Sequence, residues 1–189
     1  GLLVGDRALV KVLSVKNGIA YGKAVELYTP AEQRVRPACA VFGKCGGCQL
    51  QHLRYRYQLA FKTELVKNTL KKIGGITAEV LPCVKSDKEY GYRNKLILPI
   101  GQKNGKTVVG FYAERSHRIV ETAECPITEW AGEVISAVIK FAEKCGLDGY
   151  DEETGKGQLR HIAVRQLGKK FIVVLVVTEE IKGADYFVS

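Results

Sequence analysis

Apolar and polar residues alternate along Arg7–Val15, in the run RALVKVLSV, a pattern typical of a β-strand with one buried face. Asn17 and Gly18 follow as a turn dipeptide, and a second strand-like run begins at Ile19. The pattern therefore predicts a β-hairpin. Because an isolated hairpin is marginally stable, we expect it to be part of a small β-barrel whose other strands are missing or lie elsewhere.

A helical period of apolar residues follows over residues 53–73, and Gly74 and Gly75 end it. One row of this helix consists of Leu53, Tyr57, Phe61 and Leu65, and an adjoining row of Leu59, Val66, Leu70 and Ile73. The rest of the helix is basic. We expect the apolar rows to be poorly covered within this chain.

The remaining pattern alternates between strands and one more helix. It predicts strands over 92–100 and 108–121, a helix over 128–145, and a final hairpin of 158–167 with 170–180. The last strand is apolar enough to predict a central position in its sheet. The predicted fold class is α+β, with a mostly antiparallel central sheet and more strands than helices.

The distribution of charged residues along the chain indicates a candidate binding partner. The chain has 189 residues, a formal net charge of +9 and a pI of about 9.2. Residues 34–72 carry nine Lys/Arg against one acid, whereas residues 121–153 carry nine acids against two lysines. This asymmetry suggests a polyanion such as RNA, although a solvated surface would have the same composition.

Neither a membrane span nor a signal peptide is apparent, so we expect a cytoplasmic protein. No membrane or protein partner is predicted. The chain contains no methionine, and the run at residues 186–188 resembles an unfinished amphipathic element. We therefore expect it to be a fragment of a longer protein.

Six cysteines in a cytoplasmic protein indicate metal ligands and buried thiols more than disulfides. Cys39, Cys45 and Cys48 have the spacing C-x5-C-x2-C. Two adjacent glycines, Gly46 and Gly47, would allow the backbone to wrap closely around an inorganic group.

A tetrahedral metal site or a cubane cluster needs a fourth ligand. Cys83 and Cys145 lie in apolar contexts typical of buried thiols, whereas Cys125 lies in a loop and precedes a proline, as in many iron–sulfur sites. We select Cys125. The uneven spacing favours a four-thiolate iron–sulfur cluster, with zinc or neither group as the alternatives.

These motifs together resemble the iron–sulfur-containing RNA uracil-5-methyltransferases of the 23S ribosomal RNA type. The resemblance rests on CAVFGKCGGCQLQH, YRNKLILPI, GFYAERSHRIVETAECPI and QLRHIAVRQ. The first hairpin resembles the end of a TRAM domain, an RNA-binding barrel. The resemblance implies that Cys39, Cys45, Cys48 and Cys125 bind a [4Fe-4S] cluster.

The resemblance also implies a division into four parts. These are a partial TRAM-like barrel (1–30), a linker and cluster loop (31–52), a basic helix that packs on a catalytic domain (53–75), and a central α+β domain (76–189). The family's S-adenosylmethionine-binding motifs and nucleophilic cysteine are not found in this sequence. We therefore assign no catalytic residue and expect this fragment to be inactive alone.

The part of the parent enzyme that this chain represents is expected to recognise RNA, most simply 23S ribosomal RNA. The candidate contacts are basic residues of the predicted central strands: Arg93, Lys95, Arg160, His161 and Arg165. A non-enzymatic RNA-binding module with an iron–sulfur cluster or zinc is the alternative interpretation. A single-cluster electron carrier fits the positive charge less well.

Overall fold

The computed structural model describes residues 1–187, which fall into two compact units. Unit 1 comprises residues 1–38 and 49–87, and unit 2 comprises residues 39–48 together with those from 88 onwards. Antiparallel sheets and helices are mixed along the chain, consistent with the predicted α+β class. The run at residues 186–188, expected to open an amphipathic element, extends beyond the described residues.

Unit 1 begins with the predicted hairpin, formed by β1 (Arg7–Lys16) and β2 (Ile19–Thr29). Asn17 and Gly18 make its turn with φ of 49° and 75°, as a tight hairpin turn with positive φ at both central residues requires. The expected half-burial is wrong, because every strand residue except Ala8 is exposed. Neither face of this two-stranded sheet is covered, so the alternation of apolar and polar residues does not produce a buried face.

The helix of unit 1, α1 (Tyr55–Lys72), starts two residues later than predicted. The Gly74 N–H donates to the carbonyl of Thr69, and Gly75 has a φ of 64°, so the predicted glycine stop is confirmed. None of the α1 residues is buried. Phe61 and Leu65 in the first apolar row remain 48% and 53% exposed, as expected, whereas Leu53, which begins that row but precedes α1, is buried.

A buried carboxylate organises the start of unit 1. The Asp6 side chain is fully buried and accepts hydrogen bonds from the N–H groups of Leu3 (2.6 Å) and Ala31 (2.9 Å). It is also paired with the guanidinium of Arg34, whose Nε lies 3.0 Å from Oδ1. Hydrogen bonding from Arg34 therefore holds the pKa of Asp6 well below its usual range.

Unit 2 contains a five-stranded antiparallel sheet in the order β5-β4-β3-β6-β7. Its strands are β3 (Lys95–Lys103), β4 (Lys106–Tyr112), β5 (Ile119–Glu121), β6 (Leu159–Leu167) and β7 (Lys170–Val177). The helix α2 (Ala131–Cys145) ends at Gly146, whose φ of 62° provides a left-handed cap. A short 3₁₀ helix (Ala184–Phe187) follows β7.

One face of this sheet and α2 enclose the core of unit 2. Leu98, Leu159 and Ile162 of the sheet are almost completely buried, as are Val138 and Phe141 of α2. The five residues belong to a single apolar cluster. The apolar residues that recur every two positions in the strands therefore pack against those that recur about every 3.6 positions in the helix, in one layer of side chains.

Two predictions about the sheet are wrong. The single strand predicted at 108–121 is two strands, β4 and β5, because a turn between Ala113 and Arg118 reverses the chain, with Arg115 at a φ of 53°. The apolar strand β7 lies at the sheet edge instead of the centre. Its residues Ile172 and Val174 are exposed, since the face opposite α2 carries no second layer there.

No helix within residues 1–187 is both long enough and apolar enough to cross a bilayer.

Candidate functional site

The segment 39–48, which carries three of the candidate cysteines, is a chain of tight turns. The Cys45 N–H donates to the Val41 carbonyl (2.9 Å), and the Gly46 N–H donates to the Tyr112 carbonyl at the end of β4 (2.9 Å). A Cβ at position 46 would lie 3.1 Å from backbone atoms of Glu114. Gly46 therefore lets the cysteine segment dock closely on the β4–β5 turn.

The four predicted ligands interact electrostatically in the structure. Burial raises the pKa of the Cys45 thiol, and nearby Cys48, Cys39 and Cys125 raise it further. The Gly47 N–H opposes this shift, because it donates a hydrogen bond to Cys45 Sγ at 3.3 Å. Thiols separated by nearly eighty residues of sequence are thus brought into one neighbourhood within unit 2.

Cys125 reaches this neighbourhood from the loop between β5 and α2. The Thr128 N–H donates to the Cys125 carbonyl at 2.9 Å and closes a turn there. Burial raises the pKa of the Cys125 thiol, and Cys48 adds to the shift, whereas hydrogen bonding from Ile127 and Thr128 lowers it. The loop thus offers hydrogen-bond donors to the sulfur, which is a common feature of ligating thiolates.

No group of three or more His, Cys, Asp or Glu side chains among the described residues is arranged to hold a single metal ion. The other two cysteines lie elsewhere and are half-buried: Cys83 in unit 1, and Cys145 against the apolar core of unit 2. Burial of Cys145 and Cys83 is less complete than their apolar sequence contexts suggested. His52 belongs to unit 1, where it is buried near Arg34 and Asp6.

Two of the predicted RNA contacts are brought together by strand pairing. Lys95 on β3 lies directly opposite Arg165 on β6, and both side chains are exposed. Like charges directly opposite one another repel. An anion between the two side chains would relieve this repulsion.

The other three predicted RNA contacts occupy different surroundings. Arg93 lies two residues before β3 begins, so its predicted place on a strand is wrong. Arg160 lies over the Tyr150 ring, with its guanidinium carbon 4.4 Å from the ring centroid. His161 shares a 3.2 Å hydrogen bond with the Tyr112 hydroxyl, and burial lowers its pKa, as does the neighbouring Arg160.

The residues that surround Arg160 and His161 are not indicated by the sequence. Tyr112 and His117 flank the β4–β5 turn, and their rings stack with centroids 5.3 Å apart. Since 108–121 reads as one continuous strand, no local pattern indicated that these two rings would meet. The hydrogen bond between Tyr112 and His161 joins residues 49 positions apart, which local patterns cannot reveal either.

Comparison with known proteins gives relatives for nearly the whole chain, although no family model matches it. An uncharacterized RNA methyltransferase of Clostridium tetani is 41% identical over 184 residues, which cover 96% of this chain. One of Halalkalibacterium halodurans is 40% identical over 184 residues, or 95% of this chain. The chain is homologous to RNA methyltransferases. It spans 40% of the length of both methyltransferases.

A solved structure also matches nearly the whole chain. It is the tRNA (uracil-54, C5)-methyltransferase of Pyrococcus abyssi in complex with S-adenosyl-L-homocysteine, with a TM-score of 0.72 and 29% sequence identity. The match covers 97% of this chain and 42% of that methyltransferase. The resemblance to RNA methyltransferases expected from the sequence motifs is therefore confirmed.

Proposed function

We propose that this chain is the RNA-recognition and iron–sulfur portion of an S-adenosylmethionine-dependent RNA (uracil-5-)-methyltransferase. The observation that carries the proposal is its 36–41% identity to RNA methyltransferases over most of its length. The solved uracil-5-methyltransferase with bound S-adenosyl-L-homocysteine supports both the base specificity and the methyl donor. The chemistry of methyl transfer is assigned to the part of the parent enzyme that this chain does not match.

The four-part division belongs to the same proposal. Residues 1–30 are a partial TRAM-like barrel, 31–52 carry the linker and cluster loop, 53–75 dock on the catalytic domain, and 76–189 form the central domain. The exposed apolar row of α1, including Phe61 and Leu65, supports a docking role for that helix. The last two residues of the central domain lie outside the described residues.

Cys39, Cys45, Cys48 and Cys125 would hold a [4Fe-4S] cluster. The influence of Cys48, Cys39 and Cys125 on the pKa of Cys45 supports one shared site, and the Gly47 N–H and the residues after Cys125 supply donors to the sulfurs of Cys45 and Cys125. When bound, the cluster would cross-link segment 39–48 to the β5–α2 loop and would take no part in methyl transfer. Closing so long a loop stabilises the fold, because it removes conformational freedom from the unfolded chain.

RNA phosphates are the anions that we assign to the Lys95–Arg165 pair. Two exposed cations held directly opposite each other by strand pairing favour a bound anion. Arg93 and Arg160 would add positive charge, whereas the uncharged form of His161 is favoured by its lowered pKa. We therefore assign His161 a hydrogen-bonding role in place of a phosphate contact.

The target RNA remains 23S ribosomal RNA in this proposal, by analogy with cluster-bearing relatives. The structural neighbour acts on tRNA, so transfer RNA is the second candidate. The two candidate targets are distinguished by measuring the affinity of this chain for a uridine-containing 23S hairpin and for an unmodified tRNA. Tighter binding of the hairpin supports the ribosomal target, and tighter binding of the tRNA replaces it.

The cluster is tested by anaerobic iron and sulfide analysis of the chain and of its Cys125→Ser variant, with Cys83→Ser as the matched control. We expect about four irons and four sulfides in the chain. The cluster should be lost in Cys125→Ser and retained in Cys83→Ser. One tightly bound zinc without sulfide would favour the non-enzymatic binding module instead.

A further inference from the structure

An open cavity of about 640 Å³ lies in unit 2 beside the β4–β5 turn. This is within the range of pockets that hold small molecules or single ligand groups. Six of its lining residues carry aromatic or ionisable side chains that each contact at least one other of the six: Tyr112, His117, Tyr150, Glu152, Arg160 and His161. Only the last two were singled out from the sequence, and none has yet been given a binding partner inside the cavity.

A ladder of rings forms one side of the cavity. The Tyr112 hydroxyl shares its hydrogen bond with His161 Nε2, and its ring stacks on His117 with an interplanar angle of 29°. The His117 side chain is 74% exposed. Tyr112 is therefore fixed from one side, and the exposed His117 ring extends the stack towards solvent.

Polar contacts fix the orientation of these rings. His117 Nδ1 lies 2.7 Å from Glu152 Oε2, so the imidazole is held by an ion pair or a charge-assisted hydrogen bond. Elsewhere in the cavity lining, the guanidinium carbon of Arg160 lies 4.4 Å from the centroid of the Tyr150 ring. Planar groups thus border the cavity at two places before any ligand is present.

The charges around the cavity balance. Lys103, Arg118 and Arg160 contribute positive charge, and Asp151, Glu152 and Glu153 contribute negative charge. Lys103 is moreover already paired with Glu121 at 2.6 Å. Such a cavity disfavours a phosphate but can accept hydrogen bonds from base N–H groups and donate them to base carbonyls and ring nitrogens. Stacking surfaces with mixed donors and acceptors match an unstacked nucleobase.

We propose that this cavity holds one unstacked nucleobase of the bound RNA, stacked on His117 and bordered by Arg160. The inference rests on the proposed function, because it requires the chain to bind RNA. The site differs from the Lys95–Arg165 pair, which would contact the phosphate backbone. It gives the central domain a means of recognising the shape of a single-stranded segment.

The test uses short single-stranded RNAs that carry a fluorescent adenine analogue at one internal position, moved along the RNA in successive probes. Stacking on an aromatic ring quenches such an analogue. We expect the wild-type chain at saturation to quench one position more strongly than its neighbours. His117→Ala, an exposed position, and Arg160→Gln should abolish this difference and weaken binding about tenfold.

Arg165→Gln is the matched control, since it removes a positive charge from the same strand as Arg160 but at the other end. It should weaken binding and leave the quenching at saturation unchanged. If His117→Ala and Arg160→Gln bind and quench like the wild type, the nucleobase site is overturned and the proposed function stands. If the wild-type chain binds none of the RNAs, nor the 23S hairpin or the tRNA, both are overturned.

Discussion

The two units of this chain are organised by different forces. Unit 2 has a cluster of thirteen buried apolar residues between its sheet and α2. In the described part of unit 1, the buried apolar residues are Ala31 and Leu53 alone. Its conspicuous internal contact is instead the buried Asp6 carboxylate with its three donors. Comparable apolar content along the sequence therefore does not imply comparable burial.

The largest expected effect comes from removing a ring from the core of unit 2. Phe141→Ala should lower the free energy of unfolding of unit 2 by about 3–5 kcal/mol, because the ring is completely buried and would leave a cavity. The matched change in unit 1 is Phe61→Ala on the exposed side of α1, which should cost less than about 1 kcal/mol. Denaturant unfolding measures both, and equal losses would contradict the contrast between the units.

The next largest effect should come from the carboxylate of unit 1. Asp6→Asn should destabilise the contacts around residues 3, 31 and 34 by about 2 kcal/mol, since it removes the charge from a buried set of hydrogen bonds. Amide hydrogen exchange at Leu3 and Ala31 measures this directly. Glu64→Gln is the control, because its 3.8 Å pair with Lys67 is exposed and contributes little. Unchanged exchange in Asp6→Asn would show that the charge does not organise unit 1.

Acid should reproduce part of the Asp6→Asn effect in the unaltered chain. The pKa of Asp6 is lower folded than unfolded, so the stability it contributes is present above about pH 4 and decreases as the pH falls below that. Exchange at Ala31, corrected for its intrinsic pH dependence, should accelerate in this range in the wild type and not in Asp6→Asn. Burial and Arg34 lower the pKa of His52, so the stability that neutral His52 contributes should decrease as the pH falls below about 6.5, separately from the effect of Asp6.

Local sequence signals predicted turns and helix ends correctly where particular residues set the backbone conformation. Asn17-Gly18 specifies the first hairpin turn, and Gly146 ends α2 at the predicted place. The β4–β5 turn was missed because it contains neither glycine nor proline. The edge position of β7 was missed because an apolar run looks the same at the centre of a sheet and at an uncovered edge.

The same distinction applies to the candidate sites. Cysteine spacing indicated Cys39, Cys45 and Cys48, and the loop context of Cys125 indicated a fourth thiol; in unit 2 the other three raise the pKa of Cys45. The cavity beside Tyr112 is lined also by Tyr150, Glu152 and His161, which the fold brings together from distant parts of the sequence. A candidate site made of rare residues such as cysteine can be predicted from a sequence, whereas a site made of common residues can be recognised only in the folded structure.

The smallest effect is expected on the hairpin of unit 1, and it tests how far the contrast extends. Val15 is 65% exposed although it continues an apolar–polar alternation. Val15→Thr keeps the β-branched shape, so it should change the free energy of unfolding by no more than about 0.5 kcal/mol in this chain. Val164→Thr on buried β6 is the matched control and should cost more than about 1 kcal/mol, because it buries a hydroxyl in the core. Denaturant unfolding compares them. A loss at Val15 as large as that at Val164 would mean that the hairpin face is covered in solution, and unit 1 would then depend on apolar burial as unit 2 does.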